Sequence, residues 1–160
     1  WLALVYKHAG PILRDVLDIV TPSLLANGVV VDWLPAPTLP TMYGRSVQLR
    51  ILFKALIDNA IEAMSGKGWS RRELTLNTRQ RGDCIVITVA DRGPGMTPDC
   101  ELRAFEPFFT TKRGGGRHLG TGLSRAYQVA TDHGGYIDLG ENPGGGCLVT
   151  VEFRLDGDPV

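Results

Sequence analysis

Two strand-like segments joined by Arg81-Gly82 constrain the fold of this chain more than any other feature. RELTLNTRQ and DCIVITVAD alternate apolar and polar residues, as expected for a sheet that buries one face. YIDLGE and CLVTVEFRL repeat this pattern around the turn NPGGG near the end of the chain. Two antiparallel hairpins of this kind need a layer of apolar side chains against their buried face.

Three segments with helical spacing can supply that layer. PILRDVLDIVTPSLLANG and VQLRILFKALIDNAIEAM place apolar residues three and four apart, and each is followed by a glycine-containing stop. LSRAYQVATDHGG predicts a third helix that ends at Gly134 and Gly135. VVVDWL predicts a short strand, and the proline-rich PAPTLPTMYG predicts an extended connector. The sequence therefore predicts an α/β fold with two layers, one of sheet and one of helices.

Composition narrows the class of protein. A length of 160 residues predicts a single domain over 1–160. Lys plus Arg and Asp plus Glu both number 17, so no global charge favours nucleic acid or a membrane surface. Cys84, Cys100 and Cys147 lack metal-ligand spacing, which fits a reducing cytoplasm. No apolar run reaches the roughly 18 residues of a membrane span, and the abrupt start WLALVYKH predicts a fragment of a longer protein.

Asn59 lies on the polar side of the second predicted helix, where Ala55 and Glu62 share its face. An exposed Asn is usually just solvated, but the apolar flanks in IDNAIEAM would leave this edge facing a groove. An amide oxygen in such a groove can ligate Mg²⁺ together with phosphate oxygens and water. Asn59 is therefore a candidate metal ligand.

The stretch ADRGPGM ends the first hairpin with Asp91, Gly93 and Gly95. Alone, it could be an ordinary turn, because Asp and Gly are common turn residues. A carboxylate at the floor of a pocket can instead accept a hydrogen bond from the amine of adenine, whereas guanine presents a carbonyl there. The two glycines, which lack Cβ, would let a planar base approach the backbone.

The segment AFEPFFTTKRGGGRHLGTGLSRA carries three phenylalanines and then a glycine-rich span that enters the third helix. Phe105, Phe108 and Phe109 are predicted to be core or hinge anchors rather than ligand contacts. After the residues Thr110–Arg113, backbone amides and a helix N-terminus would face any bound anion, and phosphates fit such a site. A flexible surface loop is the alternative interpretation of this segment.

Taken in order, LFKALIDNAIEAM, DRGPG, FEPFFTTK and LGTGLS resemble the N, G1, F and G2 boxes of the histidine-kinase-like ATPases. FEPFFTTK is most similar to bacterial sensor histidine kinases. This resemblance implies a mixed, largely antiparallel sheet covered by three helices, ATP or ADP as the ligand, Mg²⁺ as the cofactor, and a mobile lid from about Thr110 to Gly120. The nucleotide contacts that it implies are Asn59, Glu62, Asp91, Gly93, Gly95, Met96, Phe105, Thr110, Thr111, Lys112, Gly120, Thr121, Gly122 and Leu123, with Asn59 also on the metal.

The chain departs from the family pattern at two positions. Kinases of the family usually carry an Asn or an acid four residues before the N-box Asn, where this chain has Ala55, and His118 replaces a usual G2-box glycine. Glu62, besides being an implied nucleotide contact, is a candidate catalytic residue, and no other catalytic residue is predicted. An ATPase of the gyrase or HSP90 type needs a Glu at position 55, so Ala55 argues against that class.

Two functions stay open. LLANGVVVDW, GWSRRELTL and HLGTGLSRAYQVA are similar to the NifL-type nitrogen-fixation regulators, which implies a nucleotide-sensing module that controls a partner transcriptional activator. The alternative is an active kinase domain that transfers the γ-phosphoryl group of ATP to a histidine in an upstream domain. Both imply upstream sensory or dimerisation domains, no direct contact with nucleic acid, and no membrane contact by this fragment.

Overall fold

The structure, a computed structural model, describes residues 5–7, 9–109 and 121–155. The predicted lid, including Thr110, Thr111, Lys112, His118 and Gly120, lies outside these residues. Along the described chain the elements are β1 Val5–Lys7, α1 Ala9–Ala26, β2 Val30–Leu34, β3 Met42–Gly44, α2 Ser46–Ala63, β4 Glu73–Arg81, β5 Cys84–Asp91, α3 Pro98–Arg103, α4 Gly122–Asp132, β6 Tyr136–Glu141 and β7 Cys147–Arg154.

The main sheet has five strands in the order β2-β4-β5-β7-β6. β2 runs parallel to β4, and every other neighbouring pair is antiparallel. Both predicted hairpins are present, and Gly82 supplies the positive φ of +57° that the turn between β4 and β5 requires. The sheet is thus mixed and largely antiparallel, and the predicted fold class is confirmed.

The core lies between one face of the sheet and the helices α1, α2 and α4. Alternate residues of β4 and β5, such as Leu74, Leu76 and Ile87, are fully buried against this helical layer. α2 packs against α1, α4 and β5. It buries the apolar stripe that its sequence predicts, Leu49, Leu52, Phe53, Leu56, Ala60 and Met64, and also Ile57 and Ile61. This packing fixes the side of α2 that carries Asn59 relative to the sheet.

A second, two-stranded sheet of β1 and β3 was not predicted. Its antiparallel register places Val5 opposite Gly44, so the proline-rich connector ends in a strand. Strands of three residues are too short to show an alternating pattern. Just after β3, the ring of His133 accepts the backbone N–H of Arg45 at 3.0 Å and contacts the carbonyl oxygen of Val129 at 2.7 Å. These contacts join the start of α2 to the end of α4.

None of the helices in the described ranges is long and apolar enough to cross a membrane.

Candidate functional site

Asp91, the last residue of β5, is the most deeply buried acid in the described part of the chain, with 3% of its surface exposed. Its Oδ1 accepts the backbone N–H of Gly93 at 2.8 Å and that of Cys147 at 3.1 Å. No described residue donates to Oδ2. One carboxylate oxygen is therefore held by the protein, and the other remains an acceptor for a ligand.

Burial raises the pKa values of both Asp91 and Cys147. It raises the pKa of Asp91 above the ordinary value of 3.8, and the N–H groups of Cys147 and Gly93 offset part of that rise. Burial, with smaller effects from the charges of Asp91 and Glu101, raises the pKa of the Cys147 thiol to about 12. The thiol is therefore protonated at neutral pH and adds no negative charge beside Asp91.

The turn after Asp91 lies directly against the end of α2. A Cβ added at Gly93 would lie 3.2 Å from the Cβ of Ala63 and 3.0 Å from Oδ1 of Asp91. A side chain at Gly93 would therefore crowd both α2 and Asp91. This close packing is a reason for a glycine here in addition to the approach of a base that the sequence suggested. Gly95 adopts a positive φ of +76°, and the half-buried Met96 packs against the core. The contact between Gly93 and Ala63 brings the predicted N-box helix and the predicted G1 turn together.

Asn59 and Glu62 are half-buried on α2. Asn59 lies one turn before Ala63, and Glu62 directly precedes it. The neighbouring Asp58 is paired with Lys54 at 2.5 Å, whereas no hydrogen bond within the described ranges involves the Asn59 side chain. Those ranges also contain no group of three or more His, Cys, Asp or Glu residues that could hold a metal ion. An oxygen from Asn59 with phosphate and water oxygens would suit Mg²⁺, which needs few protein ligands.

Ala55, one turn before Asn59, is half-buried and packs against the core. Its methyl group offers neither a hydrogen bond nor a proton acceptor. The structure thus places an apolar group at the position where the resemblance implies a polar one.

The phenylalanine-rich segment follows α3, whose first turn is capped by Thr97 accepting the N–H of Cys100 at 3.3 Å. Phe105 is half-buried against the core, and its ring lies 5.4 Å from that of Tyr127 on α4. Phe109 is covered by the guanidinium of Arg103 at 4.5 Å.

Phe108 does not lie in the core, which was one of the two predicted placements, because 75% of its surface is exposed. Its φ of +65° is rare for a residue with a side chain, and this tight turn leaves the ring in solvent instead of in the core. The core placement of Phe108 was predicted only from its apolar side chain, which does not reveal the conformation of the turn.

α4 begins in the described part of the chain at the predicted G2 box. Thr121 precedes the helix without a side-chain capping hydrogen bond, Gly122 is exposed, and Leu123 packs against the core. The first turn carries no acidic residue. Amide groups at such a helix start favour a negatively charged ligand. Because α4 packs against α2 and contacts Phe105, the described portions of all four motifs are neighbours in the fold.

The turn between β6 and β7 contacts Asp91, and sequence reasoning gave it only a structural role. The side chain of Asn142 donates to the carbonyl oxygen of Asp91 at 2.7 Å, and Cys147 donates to its carboxylate. Three consecutive glycines, 144 to 146, all have positive φ. A simple hairpin turn does not require three consecutive glycines. This excess of glycines was the feature of the sequence that could have indicated a special role for the turn.

A protein-family model described as "Histidine kinase-, DNA gyrase B-, and HSP90-like ATPase" matches residues 44–157. The chain belongs to this family. The match covers α2, the turn after Asp91, α4 and the β6–β7 turn. The prediction of an ATP-binding domain of the kind found in sensor histidine kinases is confirmed at the level of the family.

Curated relatives of this histidine kinase-like ATPase domain include several sensor proteins. Sensor histidine kinase TmoS of Ectopseudomonas mendocina is 35% identical over 93% of this chain and 16% of its own length. Sporulation kinase E of Bacillus subtilis is 32% identical over 95% of this chain and 20% of its own length. The sensory histidine kinase/phosphatase NtrB of Azospirillum brasilense is 33% identical over 98% and 44%. The chain spans less than half the length of each.

Solved structures share the fold of this histidine kinase-like ATPase domain. The nucleotide-free catalytic domain of histidine kinase ThkA superposes with a TM-score of 0.82 at 21% identity, covering 96% of both chains. Full-length ShkA in complex with AMPPNP gives a TM-score of 0.81 at 24% identity, covering 100% of this chain and 33% of that one. The resemblance to NifL-type regulators stays a prediction.

Proposed function

We propose that this domain binds an adenine nucleotide, ATP or ADP, and that the base is selected by Asp91. The observation that carries the proposal is a buried carboxylate with Oδ1 held by two backbone N–H groups and Oδ2 given no donor by the described residues. The exocyclic amine of adenine donates to such an oxygen. Guanine presents a carbonyl at the same position, so two acceptors would oppose one another.

The phosphates and a magnesium ion belong, in this proposal, between α2 and the start of α4. Asn59 would hold Mg²⁺ through its amide oxygen, and the ion would neutralise part of the charge on the phosphates. The backbone amides at Thr121, Gly122 and Leu123 begin α4 without an acidic neighbour in that turn. Met96 and Phe105, both half-buried at the core, would border the base.

We further propose that the domain senses nucleotides and regulates a partner protein, a transcriptional activator in the NifL-type case. Ala55 supports this, because a methyl group can neither orient a water nor take up a proton. Adenine recognition by Asp91 does not depend on position 55, so binding persists. Loss of one positioning or electrostatic group typically costs about 2 to 4 kcal/mol of transition-state stabilisation.

Phosphotransfer to a histidine in an upstream domain is the second candidate function. The names of the curated relatives favour it, since TmoS and sporulation kinase E are described as kinases. Glu62, on the same side of α2 as Asn59, is the residue that could compensate for Ala55. The two functions share the nucleotide site and differ only in whether the γ-phosphoryl group is transferred.

A labelling experiment on the full-length parent protein separates them. The wild type and an Ala55→Asn variant are incubated with γ-labelled ATP and Mg²⁺, and acid-labile label is measured alongside the effect of ADP on partner binding. We expect that the wild type carries no label. We also expect that ADP changes partner binding by the wild type but not by Asp91→Asn. Strong acid-labile labelling of the wild type would contradict the sensing role and establish the kinase.

A further inference from the structure

The turn between β6 and β7 holds Asp91 at two separate points. The Asn142 side chain donates from Nδ2 to the carbonyl oxygen of Asp91 at 2.7 Å. Five residues later, the backbone of Cys147 donates to Oδ1 of the same residue at 3.1 Å. Asn142 is 8% exposed and Asp91 is 3% exposed, so neither contact competes with bulk water. The main chain and the side chain of Asp91 are thus fixed by one turn.

The Asn142 contact replaces a hydrogen bond of the sheet. Pairing of β5 with β7 stops at Ala90, which lies opposite Leu148, so the carbonyl oxygen of Asp91 has no ladder partner on β7. A buried carbonyl without a donor costs free energy, and the Asn142 amide supplies the donor. Asn142 is itself anchored, because its N–H donates to Gly146 at 2.9 Å and its carbonyl oxygen accepts from Gly145 at 2.8 Å.

The outer side of the turn is held by contacts that do not involve the Asn142 side chain. Nη1 of Arg92 donates to the carbonyl oxygen of Pro143 at 2.5 Å, and Nη1 of Arg71 donates to that of Gly144 at 3.1 Å. The indole N–H of Trp69 donates to the carbonyl oxygen of Arg92 at 2.9 Å. The turn therefore has its own restraints, and removing the Asn142 side chain should leave it folded while freeing Asp91.

We propose that Asn142 is a positioning residue for base selectivity, and that it keeps Asp91 oriented so that only Oδ2 faces the ligand. The proposal rests on the adenine-nucleotide function. With the main chain of Asp91 fixed, Oδ1 stays bonded to Gly93 and Cys147, and Oδ2 occupies one place suited to an amine. Without that restraint the carboxylate can rotate, and a water molecule can enter to bridge it to a carbonyl on the base.

The test compares ADP with inosine diphosphate, which differs by a carbonyl in place of the adenine amine. Dissociation constants are measured calorimetrically, with Mg²⁺, for the wild-type chain and for Asn142→Ala and Asn142→Ser. We expect the preference for ADP to fall about tenfold in Asn142→Ala, the scale of one hydrogen bond. A smaller fall is expected in Asn142→Ser, whose hydroxyl can still donate through a bridging water.

Arg71→Ala is the matched control, because Arg71 holds the same turn but does not touch Asp91. Its preference for ADP should equal that of the wild type. A purely structural role for Asn142 would weaken ADP and inosine diphosphate equally, and an unchanged ratio in both variants would overturn the proposal. Loss of folding in both variants would also overturn it. If the wild type binds neither nucleotide, the adenine-nucleotide function itself is wrong.

Discussion

Replacing Gly146 by alanine is expected to destabilise the folded chain by about 3 kcal/mol or more. Gly146 has a φ of +101°, which costs energy for any residue with a Cβ. A Cβ there would also lie 2.7 Å from the carbonyl carbon of Asp91, closer still to its oxygen, and 3.0 Å from Cα of Arg92. These atoms are backbone, so the turn must move away from Asp91. Urea unfolding at neutral pH measures the effect.

Gly145→Ala is a closely matched control for this prediction. Gly145 has a φ of +104°, nearly that of Gly146, but an added Cβ would meet nothing within 4 Å. The control therefore carries the backbone strain without the collision, and it should cost about 1 to 2 kcal/mol. Gly146→Ala should also weaken ADP binding more than Gly145→Ala does. Equal losses of stability in the two variants would contradict the close approach of the turn to Asp91.

Asp91→Asn is expected to weaken ADP binding by about 1 to 3 kcal/mol, or roughly 5-fold to 150-fold in dissociation constant. The Asn amide can still accept the N–H groups of Gly93 and Cys147 through its oxygen. Its NH₂ group would then occupy the position of Oδ2 and oppose the amine of adenine with a second donor. Calorimetry with Mg²⁺ measures the loss. Asp138→Asn, which alters an exposed acid on β6, should bind ADP as the wild type does.

Asp91→Asn should leave the free energy of unfolding of the unliganded chain unchanged or higher at neutral pH. Because burial raises the pKa of Asp91 above 3.8, the folded state binds protons more tightly than the unfolded state. Its contribution to stability therefore falls as the pH rises from below 3.8 through the folded pKa. Asp91→Asn removes this dependence, so its advantage should be larger at pH 7 than at pH 4. A variant clearly less stable than wild type at pH 7 would contradict this account.

Local patterns predicted the main sheet and the three large helices correctly. Alternation in β4 and β5, with Arg81-Gly82 between them, left little choice but a hairpin, and the apolar stripe of α2 gave its buried side. The family could also be predicted, because the four motifs occur along the chain in the order that the family shows. Secondary structure and the spacing within a motif depend on residues that are close together in the sequence, so both can be predicted from local patterns.

Contacts between distant segments could not be predicted in the same way. The packing of Gly93 against Ala63 and the hydrogen bond from Asn142 to Asp91 join residues that are tens of positions apart. Their chemistry is ambiguous in sequence, because a glycine beside an aspartate is also an ordinary turn and NPGGG is also an ordinary hairpin loop. The exposure of Phe108 was missed for a related reason, since its positive φ depends on the surrounding turn.

Calorimetric titration of the wild-type chain with ADP and with GDP, each with Mg²⁺, tests the adenine site at Asp91 most directly. The site predicts measurable heat and saturable binding for ADP, with GDP at least about tenfold weaker, because the guanine carbonyl would face the acceptor Oδ2. Comparable affinities for ADP and GDP, or no binding of either, would contradict the assignment of Asp91 as the residue that selects the base.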